Sequence, residues 1–339
     1  HHSAAWRHPN SRLEQLGDIA YYQELAQISE RGLLDAVFFA DGHSVPQVDQ
    51  GARWFFEPLT TLGALAAVTE NIGLISTVSS TFYTPFHAAR FLASLDHLSK
   101  GRIGVNVVTS MWDAEARNHN LEAMPQSKDR YARAEEFIQV MTGLWDTWDE
   151  DAIVADRNGM WADPSKVRKL NHHGEHFLVD GPLTVPRTPQ GKPVLIQAGA
   201  SEDGRNLAAK WAEAIYAVAF DLKAGQDYYR DVKARIAAAG RNPDATAILP
   251  GLVTYIGSTE AEARAKKAEM DALLPVEHSL RELGLFIGQD CSNWDVDAPI
   301  PELPPLEAVS VPKGRYGTIL RMIEVDTVNG QRPLVRQVL

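Results

Sequence analysis

Groups capable of chemistry collect at the ends of apolar runs in this chain. The run Ile103–Ser110 carries Asn106, Thr109 and Ser110 in its second half. An amide or hydroxyl buried without a partner costs about 1–3 kcal/mol, so polar groups massed on a buried strand need something to bind, and a cofactor fits that need. The pattern recurs elsewhere. Asp41 closes the run from Leu33, Thr77 with Ser79 and Ser80 closes the run from Ile72, and Ser201 closes the run from Pro193. Ser201 also precedes Glu202 at the head of a helical stretch, where a hydroxyl and unpaired helix amides together suit a phosphate. Each residue has a plain structural use too: Asp41 as a cap, Asn106 with Thr109 and Ser110 as a hydrogen-bonded turn, Tyr131 as a core or rim residue, Ser201 as an N-cap. The joint pattern carries more weight than any member.

The elements that must hold these groups alternate regularly. Strand-like runs Leu33–Asp41, Ile72–Thr81, Ile103–Ser110, Pro193–Ser201, Ala214–Phe220 and Ala247–Gly257 are nearly continuous in apolar residues, as parallel strands covered on both faces require. Helical patterns fall at Ala20–Arg31, Pro58–Thr69, Glu202–Trp211, Ala224–Ala239 and Thr259–Leu274. Serial βα units lead to a doubly wound sheet or a (β/α)8 TIM barrel. The barrel is favoured because polar residues crown the carboxyl ends of several strands and no G-x-G-x-x-G follows any of them. Residues 111–190, with a helix near Asp129–Trp148 and a hairpin near His173–Pro186, and residues 275–339 interrupt the alternation; both read as insertions into one barrel domain.

A formal charge of −11 and a pI near 5.5 argue against a nucleic-acid partner or an anionic membrane surface. The single cysteine, Cys291, excludes an internal disulfide framework, no apolar run reaches the length of a bilayer span, and no signal peptide is visible. A cytoplasmic protein acting on a small molecule is expected. The run His172–His176 lacks the spacing of a metal site on one helix face, so no metal is expected, and Trp145 and Trp148 read as core packing.

Six blocks in order carry a resemblance: His2–Pro9 (HSAAWRHP), Phe38–Asp41 (FFAD), Leu95–Arg102 (LDHLSKGR), Asn106–Ser110 (NVVTS), Arg130–Glu136 (RYARAEE) and Gly191–Ser201 (GKPVLIQAGAS). Together they resemble the bacterial-luciferase-like flavin monooxygenases, in the branch of the nitrilotriacetate, EDTA and dibenzothiophene-sulfone monooxygenases. The resemblance implies a luciferase-like barrel of which the first and last strands lie outside this sequence, with insertions after the family's strands four and seven. It implies reduced FMN as cofactor, O2 as co-substrate, and a separate NAD(P)H:flavin oxidoreductase that supplies FMNH2. The substrate would be a small organic amine, polycarboxylate or organosulfur compound, and the protein a homo-oligomer, dimer or tetramer.

The same resemblance places Asp41, Thr77, Asn106, Ser127, Tyr131, Ser201 and Glu202 at the flavin, and His2, Trp6 and Asn106 in the reaction pocket. Arg7, His8 and Arg102 are the cations it offers to a polyanionic substrate. Three departures stand out: Val105 replaces a tryptophan usual in the branch, Asn118-His119-Asn120 replaces Asn-Phe-Gly, and Ser127 replaces a histidine. Rival readings are a deazaflavin-dependent hydride-transfer enzyme on the same barrel and a flavin-binding protein without catalysis.

Overall fold

A computed structural model describes residues 2–45, 48, 56–219, 221–311 and 313–339, apart from the Lys313 side chain. In chain order the elements are α1 (Ile19–Arg31), β1 (Ala36–Phe39), α2 (Pro58–Ala66), β2 (Gly73–Ser79), α3 (Pro85–Ser99), β3 (Ile103–Val108), α4 (Asp113–Arg117), α5 (Ser127–Trp145), β4 (His172–His173) and β5 (Leu178–Val179). There follow β6 (Val194–Gln197), α6 (Glu202–Trp211), β7 (Ala214–Ala217), α7 (Leu222–Ala238), β8 (Ala247–Pro250), α8 (Glu260–Ala272), α9 (Val276–Ile287), α10 (Lys313–Asp326) and α11 (Val335–Val338). The expected strands are all present but shorter, because their polar ends leave the ladder to form the rim. Phe220, the end of one expected run, lies outside the described residues.

Six strands form one parallel sheet in the order β1-β2-β3-β6-β7-β8, curled into part of a barrel. Register aligns Thr77 with Asn106 and Asn106 with Ile196, which fixes what each face carries. Leu74, Val78, Val105, Val107, Leu195 and Ile215 alternate onto the outer face and are buried beneath the helices. Phe38, Ile75, Thr77, Gly104, Asn106 and Tyr216 fall on the concave face. Among the described residues β1 and β8 pair with no further strand, and Phe38, Val194, Tyr216 and Leu249 on the concave face remain 37–47% exposed.

Helix starts are written locally. Glu57 accepts from the amides of Leu59 and Thr60 ahead of Pro58, and Asp18, Thr84 and Ser201 cap α1, α3 and α6 through their side chains. The amino end of the sheet is tied by Arg102, whose guanidinium donates to the carbonyls of Ala66, Thr69, Ile72 and Ser99 and to the Thr69 hydroxyl.

Within residues 111–190, α5 buries Phe137, Ile138, Met141, Leu144 and Trp145 in the main core. The Trp145 and Trp148 indoles donate to the carbonyls of Ala89 and Leu183, so both tryptophans are packing residues. Beyond Pro275 the chain is more ordered than its proline-rich composition indicates. Leu280, Leu283, Ile287, Cys291, Ile300, Tyr316 and Val335 form a second apolar cluster uniting α9, α10 and α11. Cys291 lies inside it, its thiol pushed up to about 11 by burial and by Asp290. No helix among the described residues is long and apolar enough to cross a membrane.

Candidate active site

The concave face holds a polar pair. The Thr77 hydroxyl donates to the carbonyl of Phe39 at 2.9 Å and accepts from Asn106 Nδ2 at 3.1 Å, locking both side chains across three strands. Asn106 is 4% exposed and its Oδ1 has no partner. A bare amide oxygen in a barrel interior is an acceptor held ready for a ligand donor. Not every polar group at this rim is ready in that way. Ser79 Oγ and Ser110 Oγ lie 2.9 Å apart, Ser80 donates to Val108 O, and Thr81 donates to Thr109 O. These bonds stitch the end of β2 to the end of β3, so the massed hydroxyls are in large part structural, a correction to the reading that all of them face a ligand.

A second polar locus lies where β6 gives way to α6. Ser201 Oγ accepts from the Gly204 amide at 3.1 Å, and Tyr131 Oη, projecting from α5, stands 3.2 Å from the same oxygen. The backbone is unusually close here. A Cβ on Gly199 would lie 2.8 Å from the Gly204 carbonyl carbon, and one on Gly204 would lie 3.1 Å from Tyr131 Oη. Only glycines leave this hollow open at a helix N-terminus. Arg130 Nε is buried nearby in sequence without a partner, and burial holds its guanidinium below its ordinary range. Ser127 lies one helical turn before Tyr131 and Glu202 directly follows Ser201, and neither side chain bonds to the Tyr131–Ser201 pair in the described contacts. Ser127 is exposed at the first turn of α5, and Glu202 is exposed with Arg235 as its nearest cation at 3.9 Å.

Asp41 lies in a third place, a cavity of about 550 Å³ lined with Gly42, His43, Phe56, Glu57, Phe82, Tyr83 and His119. Asp41 Oδ1 accepts from the Gly42 amide and Oδ2 lies 3.3 Å from His43 Nε2. His43 Nδ1 is 2.9 Å from His119 Nε2, and His119 stacks on Phe82 at 4.2 Å with an 11° interplanar angle. Asn118 Nδ2 donates to His43 O, while the Glu115 carboxylate accepts from the amides of His43, Met111 and Trp112. Burial, then His43, lowers the His119 pKa against an opposing pull from Glu115. Tyr83 is pushed up to about 12 by burial, Glu57 and Asp41. Sequence reasoning had noticed His119 only as a departure and had passed over His43, Phe82 and Glu115. The signal for His43 was present in Asp41-Gly42-His43, a carboxylate and an imidazole straight after a strand.

His2 and Trp6 do not reach these groups in the described contacts. His2 Nε2 bonds Asp271 of α8 at 3.1 Å and its Nδ1 accepts from Ala4 N. The Trp6 ring lies under the Arg7 guanidinium at 4.3 Å, and its buried Nε1 has no partner. Of the proposed substrate cations, His8 faces Glu269 at 3.4 Å and Arg102 sits at the opposite end of the sheet, which removes Arg102 from any pocket at the carboxyl rim. In the histidine-rich hairpin, His172 Nε2 bonds Glu136, whose carboxylate also accepts from the amides of His176 and Phe177.

A curled parallel βα sheet with its polar groups at the carboxyl rim is the architecture of a (β/α)8 barrel enzyme. The profile of the luciferase-like monooxygenases matches residues 1–290, and the chain belongs to that family. It is 44% identical over 331 residues to N-acetyl-S-(2-succino)cysteine monooxygenase of Bacillus subtilis (97% of this chain, 75% of the relative). It is 39% identical to nitrilotriacetate monooxygenase component A of Aminobacter aminovorans (99% and 76%). The solved structure of EDTA monooxygenase from Chelativorans sp. BNC1 superposes with a TM-score of 0.78 at 33% identity, covering 100% of this chain and 78% of that one. The protein is a monooxygenase, an oxidoreductase that incorporates oxygen.

Proposed function

We propose that this chain is the oxygenating component of a two-component system. It binds reduced FMN delivered by a separate NAD(P)H:flavin oxidoreductase and inserts one atom of O2 into a small organic amine, polycarboxylate or organosulfur compound. Support for the partner is the designation component A in the Aminobacter relative. The observation that carries the cofactor reading is the bare, buried Asn106 Oδ1 held by Thr77, together with the glycine-lined hollow at Tyr131 and Ser201.

These residues fit the group. Reduced flavin, when bound, supplies the electrons that activate O2. Thr77, its hydroxyl hydrogen bonded to Phe39 O, fixes the Asn106 amide, whose Oδ1 would accept from a ring N–H of the flavin. Ser201, Tyr131 and the first amides of α6 would hold the phosphate, the backbone donors supplying charge complementarity without a salt bridge. Phe82 and Tyr83 give the neighbouring cavity part of an aromatic wall.

The test is anaerobic titration with reduced FMN, followed by turnover in labelled O2 with a flavin reductase. Nitrilotriacetate and N-acetyl-S-(2-succino)cysteine are the first probes. Label in the product, dependent on FMN, is expected. Tight FMN binding with no labelled product from any amine, polycarboxylate or thioether would overturn the reading.

A further inference from the structure

We infer that His119 is the proton acceptor of the Asp41-lined cavity and that His43, backed by Asp41, is the positioning residue that makes it one. The inference rests on the oxygenase reading above for its substrate, but its geometry stands alone. His43 Nε2 is buried, has no hydrogen-bond partner, and has the Asp41 carboxylate 3.3 Å away. An unprotonated nitrogen 3.3 Å from a carboxylate oxygen is repelled by it even off the hydrogen-bond line, so Nε2 carries the proton and Nδ1 is the acceptor. His119 Nε2, 2.9 Å from that Nδ1, must therefore be the donor. This leaves a lone pair on His119 Nδ1, which has no hydrogen-bond partner among the described residues. The ring is held in place by its stack on Phe82, and His43 by the bonds of its backbone to Glu115 and Asn118.

A proton taken up at His119 Nδ1 can be passed on. His119 releases its Nε2 proton to His43 Nδ1, and the charge comes to rest on an imidazolium beside Asp41. The groups facing this relay are Asp41, Glu57, Tyr83 and Glu115; burial and His43 disfavour a charge kept on His119 itself, and Asp41 lies 3.3 Å from the His43 ring to which the proton is passed. Among the described lining residues there is no lysine or arginine.

Oxygenation beside sulfur or nitrogen gives a carbon bearing both a hydroxyl and the heteroatom. His119 Nδ1 takes the hydroxyl proton, the O–H pair becomes the second C=O bond, and the C–S or C–N pair leaves with the heteroatom. That atom is protonated from water, and the relay returns its proton to solvent. No oxidation state changes in this step beyond the oxygenation already made.

The test has two arms. In nitrogen-resolved NMR of the whole protein, the native His119 should show protonated Nε2 and bare Nδ1 at neutral pH. His43→Asn should shift the His119 titration. The opposite tautomer, or an unmoved titration, overturns the inference whether or not any substrate turns over. In the second arm N-acetyl-S-(2-succino)cysteine is oxygenated and thiol release is read across pH. His119→Phe and His119→Gln should slow release about a hundredfold and abolish its acid limb, with reduced-FMN binding unchanged. Native-like release with the acid limb intact in either folded variant would sink the proposal. Failure of native protein to oxygenate any probe would instead count against the oxygenase reading.

Discussion

At the scale of single residues, Thr77 and Asn106 act as one unit, and their substitutions should separate folding from binding. Thr77→Val removes the acceptor of Asn106 Nδ2 and leaves that buried donor unpaired, a loss of about 1–3 kcal/mol measurable by urea unfolding. Asn106→Ala removes both ends of the amide and should weaken reduced FMN about tenfold in an anaerobic titration, as loss of one hydrogen bond of about 1.4 kcal/mol requires. Glu136 gives a pH test. Burial raises its pKa, but the bonds from His172 and from the amides of His176 and Phe177 prevail, and it lies below the ordinary carboxylate value. A depressed folded pKa stabilises above the unfolded value and is lost as pH falls through the folded one. Glu136→Gln should therefore destabilise at neutral pH and cost progressively less below about pH 4, read as converging melting temperatures of the two proteins. The place of Thr77 and Asn106 near the carboxyl ends of neighbouring strands was legible because each interrupts an apolar run, whereas their role at a flavin came only from the family resemblance. His43 and His119 were not legible, since their pairing joins positions 76 residues apart through two loops.

At the scale of elements, the start of α6 carries a structural load and, in the proposed reading, a binding one. Ser201→Ala removes the N-cap, at a cost of about 0.5–2 kcal/mol. It should also lower affinity for FMN while leaving riboflavin, which lacks the phosphate, unchanged; equal losses for both would remove the phosphate assignment. Gly199→Ala should be worse than the cap loss, because its Cβ would meet backbone atoms that have no freedom to turn aside. The strands and α6 were readable from periodicity and capping, and the bounds of α6 coincide with the expected Glu202–Trp211. The helices of residues 275–339 were passed over because proline and charge surround them, although α9 alone, at 12 residues, is longer than α6 and buries one face in the second cluster.

At the scale of the whole molecule, the sheet has unpaired outer strands and a concave face on which Phe38, Val194, Tyr216 and Leu249 meet solvent. Such a surface should bind a hydrophobic dye. We expect strong dye fluorescence from the 339-residue chain; a dark protein would show that the face is covered. Its barrel class followed from serial βα units, whereas the extent of the open face depends on pairing that no single run records.

The sealed position of Cys291 bears on survival during catalysis. Burial and Asp290 push its thiol up to about 11, so little thiolate forms at neutral pH, and the sulfur is shielded by the helices around it. Enzymes that handle O2 shed hydrogen peroxide whenever turnover misfires, and accessible thiolates are its first casualties. This protein has placed its only thiol where such self-inflicted damage does not reach, so alkylating reagents should label it only after unfolding, and activity should outlast peroxide doses that disable thiol-dependent catalysts.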